Sequence, residues 1–272
     1  MHNEVLKEHA RNIRKMIIEM IHAANSGHPG GALSAADVMT YLYFEKMDIT
    51  KENVDSRERD RFILSKGHAS AALYATLKEK GLLDEDIHSF RKIDSKLQGH
   101  PSMQYLAGVD MTTGSLGQGS SAAVGMALAD KLDQNGHHVY CLLGDGESEE
   151  GLVWEAMMAA HHYGLSDLTY ILDFNHLQID GRIEDVIDPT PFKEKFEAFG
   201  LATFECDGHD FDSIREAFKK ASEVSDRPQV IIAHTIKGKG VSFMEDQASW
   251  HGSAPNDEEY MKAIEELDRE DA

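Results

Sequence analysis

The chain has 272 residues, 41% of them hydrophobic and 28% charged, which suits one large globular α/β domain with a sizeable core. Its formal net charge of −21, from 48 acidic and 27 basic side chains, argues against nucleic acid and against anionic membrane surfaces as partners. No stretch has the apolar core of a signal peptide or the length of a membrane span. Cys141 and Cys206 sit in apolar runs as small core residues rather than a disulfide, so a cytoplasmic protein is expected.

In chain order, Val5, Leu6, Ile13, Ile17, Met20 and Ile21 follow a helical spacing that predicts a helix over 3–24. A turn over 25–31 (Asn-Ser-Gly-His-Pro-Gly-Gly) follows, and Ser34 is placed to cap a second helix running to 46. A short apolar strand over 61–64 opens onto Ser65-Lys66-Gly67-His68, with a helix from Ala69. Residues 84–90 read as a short helix and 96–110 as mostly loop, and the glycine-rich segment 112–119 opens an alanine-rich helix to about 132. Further strands are predicted over 138–143, 168–173, 202–206 and 230–234, with helices over 149–163, 191–199 and 211–222 between them. The acidic segment from Asn256 reads as a solvated terminal helix. Strands alternating with helices imply βαβ units, hence a three-layer α/β/α fold with a central, mainly parallel sheet, in a single domain over 1–272.

Two of these strands end in loops suited to a divalent metal. One releases Gly144-Asp145-Gly146 and the next Asp173-Phe174-Asn175. Neighbouring parallel strands release their C-terminal ends on one edge, where ligands bind. Asp145 and Asn175 can therefore converge as a carboxylate and an amide oxygen, the hard donors that Mg²⁺ or Ca²⁺ accepts. Gly146 lets a diphosphate approach the backbone closely. Each motif alone is a common turn; what carries weight is that both end adjacent strands with a helix between. Four further loops present histidine beside glycine, at His28, His68, His100 and His251.

The ordered set Ser-Gly-His-Pro-Gly, Ser-Lys-Gly-His-Ala, Gly-His-Pro, Thr-Thr-Gly-Ser-Leu-Gly-Gln-Gly, Gly-Asp-Gly, Asp-Phe-Asn and Trp-His-Gly spans about His22 to Gly252. It is similar to the N-terminal portion of transketolases, the half that holds the diphosphate of thiamine diphosphate. The resemblance implies that Asp145, Asn175 and the backbone carbonyl of Leu177 bind the metal, Mg²⁺ or Ca²⁺. It implies diphosphate contacts at Gly146, His68 and His251, and places Gly114 and Leu116 against the aminopyrimidine and thiazolium. Glu150 resembles the acid that hydrogen-bonds across an interface to a partner domain's glutamate. His28, His68, His100 and His251 match the histidines of the family's ketose pocket.

Nothing after the last strand resembles the family's second domain, its activating glutamate or its phosphate-gripping arginines. The expectation is therefore one subunit of a split transketolase, inactive alone. It would assemble, as a heterotetramer by analogy, with a subunit carrying the pyrimidine-binding domain, and act on sugar phosphates. Lys237 and Lys239, in the Lys-Gly-Lys-Gly loop after the last strand, fit an anion near the cofactor and equally a solvated turn. A thiamine-dependent synthase resembling 1-deoxyxylulose-5-phosphate synthase, and a non-catalytic interaction module, are the rival expectations. No Gly-x-Gly-x-x-Gly opens a helix after a first strand and no lysine-bearing P-loop is present, which disfavours a nucleotide-binding domain.

Overall fold

Five apolar runs pair as a wholly parallel sheet in the computed structural model, which describes residues 1–269. Before the sheet come α1 (Asn3–Ala24), α2 (Pro29–Ser34) and α3 (Ala36–Tyr41), the last continuing into a π-helical turn over Leu42–Lys46. Then follow β1 (Arg61–Leu64), α4 (Ser70–Glu79), α5 (Gln118–Asp133), β2 (Val139–Gly144), α6 (Gly151–His162) and β3 (Leu168–Phe174). A two-stranded hairpin, β4 (Leu177–Gln178) and β5 (Gly181–Arg182), leads into the single turn α7 (Ile183–Val186). The chain continues through α8 (Phe192–Ala198), β6 (Ala202–Asp207), α9 (Phe211–Ser222), β7 (Gln229–His234) and α10 (Asp257–Leu267).

The strand order is β1-β2-β3-β7-β6. Strands buried on both faces should be largely apolar, and β2, β3 and β7 in the middle of the sheet are, whereas the edge strand β6 exposes Glu205 and Asp207. Phe62, Leu64, Tyr140, Leu142, Ile171 and Ile231 face one core with α1, α3, α4, α9 and α10. Their alternates Ile63, Cys141, Leu143, Tyr170, Leu172 and Ile232 face a second core with α5, α6 and α8. Two cores on opposite faces of one sheet make the three-layer α/β/α architecture that the sequence predicts. Register sets the functional edge: Leu64 pairs with Leu142, Gly144 with Asp173, and Phe174 with His234. All four loops that leave these strands therefore emerge side by side.

Most predicted bounds hold within two residues, and α1 and α9 match the expectation at both ends. α1 ends where Asn25 turns left-handed (φ 46°). Four readings need correction. Ser34 does not cap a helix; the helical turn starts at Pro29, proline being favoured in a first turn, and the Ser34 hydroxyl is buried for another purpose. The helix expected over 84–90 is only a 3₁₀ turn, Ile87–Ser89. The acidic terminal helix, closed by a capping box between Asn256 and Glu259, buries Ala263 and Leu267 against α1 rather than standing in solvent. The β4–β5 hairpin was not legible, because two-residue strands leave no alternating pattern. Cys141 and Cys206 are buried free thiols in β2 and β6. No helix among the described residues is long and apolar enough to cross a membrane.

Candidate active site

The four loops at the C-terminal edge of the sheet enclose an open cleft of about 770 Å³, counting the space continuous with solvent. Its floor is organised by one carboxylate. Asp173, next to last in β3 and 1% exposed, accepts hydrogen bonds on Oδ2 from the Ser34 hydroxyl (2.6 Å), the Asn175 amide (3.1 Å) and the Lys66 ammonium. Its Oδ1 accepts from the Thr235 hydroxyl. Burial alone would raise this carboxyl, but the Lys66 charge and the hydrogen bonds outweigh it and hold the group below its ordinary range. Lys66 also donates to the Gly31 carbonyl at 2.8 Å, so the first strand's loop is tied to the His28 loop. Glu147, also buried, accepts from the Ser65 hydroxyl, from Gly117 N at 2.8 Å and from Gly144 N at 3.0 Å, which locks the Gly-Asp-Gly turn to the glycine-rich loop.

Above this floor stand the three oxygen donors picked out from the sequence: Asp145, Asn175 and Leu177 all line the cleft. The Asn175 nitrogen is committed to Asp173, which leaves its Oδ1 as the acceptor, here of Leu177 N at 3.2 Å. Asp145 is 3% exposed and, among the described residues, accepts only two backbone N–H groups, from Gly146 at 2.8 Å and His176 at 2.6 Å. Burial, reinforced by the neighbouring negative charge of Asp173, pushes its carboxyl up to about 7. A buried carboxylate short of positive charge, beside an amide oxygen and a backbone carbonyl, fits a hard divalent cation. No group of three or more His, Cys, Asp or Glu side chains among the described residues could hold a metal unaided. The donor set therefore fits a cation whose remaining ligands come from a bound anion and water.

Lys237 follows β7 and reaches into the cleft, 2% exposed. Its Nζ donates to the Leu177 carbonyl at 2.8 Å and lies 3.0 Å from His251 Nδ1. Burial lowers it to about 8 against the attraction of Asp145 and Asp173. Of the two readings left open for this loop, the solvated turn does not hold for Lys237, which is buried in the cleft. It does hold for Lys239, with its ammonium at the surface 3.4 Å from Glu245.

His28, His68 and His251 meet above the donors, with ring centroids 5.1 to 5.5 Å apart. Burial first, then the surrounding positive charge, lowers His28 to about 4, His251 to about 3 and His68 well below its ordinary value. All three imidazoles are therefore neutral near pH 7, each able to donate from one nitrogen and accept on the other. His100 is exposed and stands at the rim, outside the lining. Its ring lies against Gly114, where φ is +147° and an added Cβ would come within 3.0 Å of the ring, so only glycine fits there. Gly114, Leu116 and Gly146 line the cleft wall.

Glu150 lies outside the cleft, exposed at the start of α6 with its Cβ against Gly117, and its carboxylate accepts no hydrogen bond from the described residues. The hairpin tip places Ile179 at 68% exposure, and Ile187 beyond it is at 62%. From sequence alone Ser34 is only a helix-cap candidate, and Lys66, Glu147, Asp173 and Thr235 carry no role; the structure gives all five a place in this floor. The available signal was a charge inside an apolar strand, Ile171-Leu172-Asp173-Phe174, and a lysine directly after another, both of which demand a buried partner.

Residues 5–270 match the family model described as transketolase, thiamine diphosphate binding domain. The chain is 39% identical over 265 residues to an apulose-4-phosphate transketolase subunit from Phocaeicola vulgatus, covering 97% of this chain and 94% of that protein. It is 42% identical over 268 residues to the 6-deoxy-6-sulfo-D-fructose transketolase subunit SqwG of Clostridium sp. (strain MSTE9), covering 98% of each. Among solved structures, the transketolase of Campylobacter jejuni superposes with a TM-score of 0.91 at 36% identity. That match covers 98% of this chain but 43% of the longer one, so this chain spans under half the length of that transketolase.

Proposed function

The chain belongs to the transketolase family, as its thiamine diphosphate-binding domain, and from that premise we propose that it is the diphosphate-side subunit of a two-subunit transketolase. The complex moves a two-carbon ketol unit from a ketose to an aldose phosphate. The observation that carries this is the oxygen-donor cleft: Asp145, Asn175 and the Leu177 carbonyl beside three neutral histidines, on a sheet edge where ligands bind. The split arrangement is supported by relatives that this chain covers end to end and that are named as subunits.

Asp145, Asn175 and Leu177 O would hold Mg²⁺, or Ca²⁺, which hard oxygen donors also accept. Gly146, His68, His251 and Lys237 would hold the diphosphate, with Gly114 and Leu116 against the rings of the cofactor. Thiamine diphosphate, when bound there, would supply a carbon nucleophile and an electron sink for C–C bond cleavage. Neutral His28, His68, His100 and His251 bind sugar hydroxyls and move protons at those oxygens. Glu150, exposed and unpartnered, donates to or accepts from a glutamate of the pyrimidine-domain subunit. That subunit completes the site, and a heterotetramer follows by analogy with dimeric relatives. The two named relatives differ in sugar but share a terminal anionic group, phosphate or sulfonate, so we assign the donor only to that class. The free buried thiols suit the reducing cytoplasm.

Ketol transfer assayed with thiamine diphosphate and Mg²⁺, for this chain alone and mixed with the partner subunit, tests this. Activity only in the mixture is expected. Activity of the isolated chain would refute the division of labour, and product formed from pyruvate as sole donor would replace ketol transfer with a synthase reaction.

A further inference from the structure

Outside the cleft, three ionisable side chains from distant parts of the sequence form a buried network that the chemistry above does not use. Asp37, on α3, is 5% exposed. It accepts two hydrogen bonds from Arg14 on α1: Nη1 to Oδ1 at 3.0 Å and Nη2 to Oδ2 at 2.6 Å. His209, in the turn between β6 and α9, places Nδ1 2.7 Å from Asp37 Oδ2. Its Nε2 accepts the backbone N–H of Ile236 at 2.8 Å, which requires the ring proton to sit on Nδ1 and be donated to Asp37. Arg14 turns its remaining Nε to the carbonyl of Lys239, at 3.1 Å. The network thus grips the loop after β7 at two points, one residue before Lys237 and two residues after it. Gly238 N adds a third hold, donating to the Gly30 carbonyl at 3.0 Å.

None of Arg14, Asp37 and His209 lines the cleft. Burying an ion pair costs desolvation that its own attraction rarely exceeds, so this network is weak evidence for a gain in stability and better evidence for a fixed geometry. Among the described residues, the cleft residue between its grip points is Lys237, whose long flexible side chain reaches the Leu177 carbonyl at 2.8 Å.

We propose that Arg14, Asp37 and His209 are positioning residues that clamp the 236–239 loop and so aim the Lys237 ammonium at the diphosphate. This rests on Lys237 being a diphosphate contact, and two readouts on the full chain keep the two ideas apart. The first needs no ligand: amide hydrogen exchange of peptides covering 235–246. In His209→Ala these amides should exchange at least tenfold faster, with α1 and the strands unchanged. His209→Gln, whose side-chain oxygen can still accept from Ile236 N, should restore protection. Unchanged protection in the alanine variant, or loss of protection throughout the chain, would overturn the clamp. The second is a double-mutant cycle on Mg²⁺–thiamine diphosphate affinity, measured by titration calorimetry on the chain with its partner subunit. His209→Ala should weaken binding about tenfold in the wild-type background and not at all in Lys237→Met. Equal losses in both backgrounds would show that the clamp acts elsewhere. A Lys237→Met variant with wild-type affinity would refute the diphosphate contact itself, leaving the exchange result to judge the clamp.

Discussion

Replacing Asp145 with asparagine should make the ligand-free chain more stable and at the same time blind to its cofactor. The carboxyl is pushed from 3.8 to about 7 by burial. Its folded-state pKa lies above its unfolded one, so the folded chain binds the extra proton between those values. Stability is therefore lost as pH rises from about 4 to above 7. At about 1.4 kcal/mol per pH unit, the ionised carboxylate costs at most ~4 kcal/mol at pH 8. Asparagine removes that cost, but weakens the bonds from Gly146 N and His176 N and withdraws the negative charge facing Lys237. A net gain of about 2 kcal/mol remains, or roughly 4 °C in Tm for a chain of this size. In wild type, Mg²⁺ with thiamine diphosphate at about 100 times Kd should add ~2.7 kcal/mol by mass action. Asp145→Asn should show no such rise. Thermal denaturation of both proteins at pH 4.5 and 8, with and without ligands, reads all of this. The ligand-free advantage should vanish at pH 4.5. A variant less stable than wild type at pH 8 without ligands, or one that keeps the ligand-induced rise, would refute the reasoning.

Asp173→Ala should destabilise the fold by about 3–5 kcal/mol in chemical denaturation, since Lys66 would be left buried without its charge partner. Asp173→Leu combined with Lys66→Met should recover much of that loss yet leave cofactor binding impaired, as Asn175 loses its anchor. Glu150→Gln should leave the melting curve unchanged and lower ketol transfer by the mixed subunits at least a hundredfold; full activity would remove its coupling role. The depressed His28 and His251 make the unfolded chain the better proton acceptor from about pH 6.5 down to 4 and below, so stability falls with acidification across that window. Replacing both with glutamine should flatten the acid limb of Tm against pH, and an unchanged slope would show that other groups set it.

The parts of the molecule legible in the sequence are those fixed by local pattern. The stripe from Leu6 to Ile21 gave a helix of the right length, and apolar runs ending in Gly144 and Phe174 gave adjacent parallel strands. Because the sheet is parallel, knowing where those strands end was enough to bring Asp145 and Asn175 together. Ser34 shows the limit. A serine near a helix start is normally a cap, and only the strand 139 residues away reveals that its hydroxyl serves Asp173. The Arg14–Asp37–His209 network was hidden for the same reason: its members are unremarkable charges on separate elements, and nothing local marks a charge that is to be buried. His100 fits its motif as well as the other three histidines do, yet it stands outside their cluster, since motif spacing carries no depth.

The strong negative charge is reconciled with an anionic cofactor by how the buried carboxylates are matched. Asp173 has Lys66, two hydroxyls and an amide around it, and Glu147 has a hydroxyl and two backbone N–H groups. Asp145 has two backbone N–H groups and the more distant charge of Lys237. Two of the three acids on the cleft floor are thus spent on holding loops in register, and one is left short of positive charge. A divalent cation would satisfy that shortfall and bring surplus charge of its own, which an incoming diphosphate would then neutralise. The remaining acids lie mostly at the surface, where salt screens them beyond about 10 Å. An acidic protein can hold a diphosphate because the charge that matters is the one carboxylate its own side chains leave undercompensated.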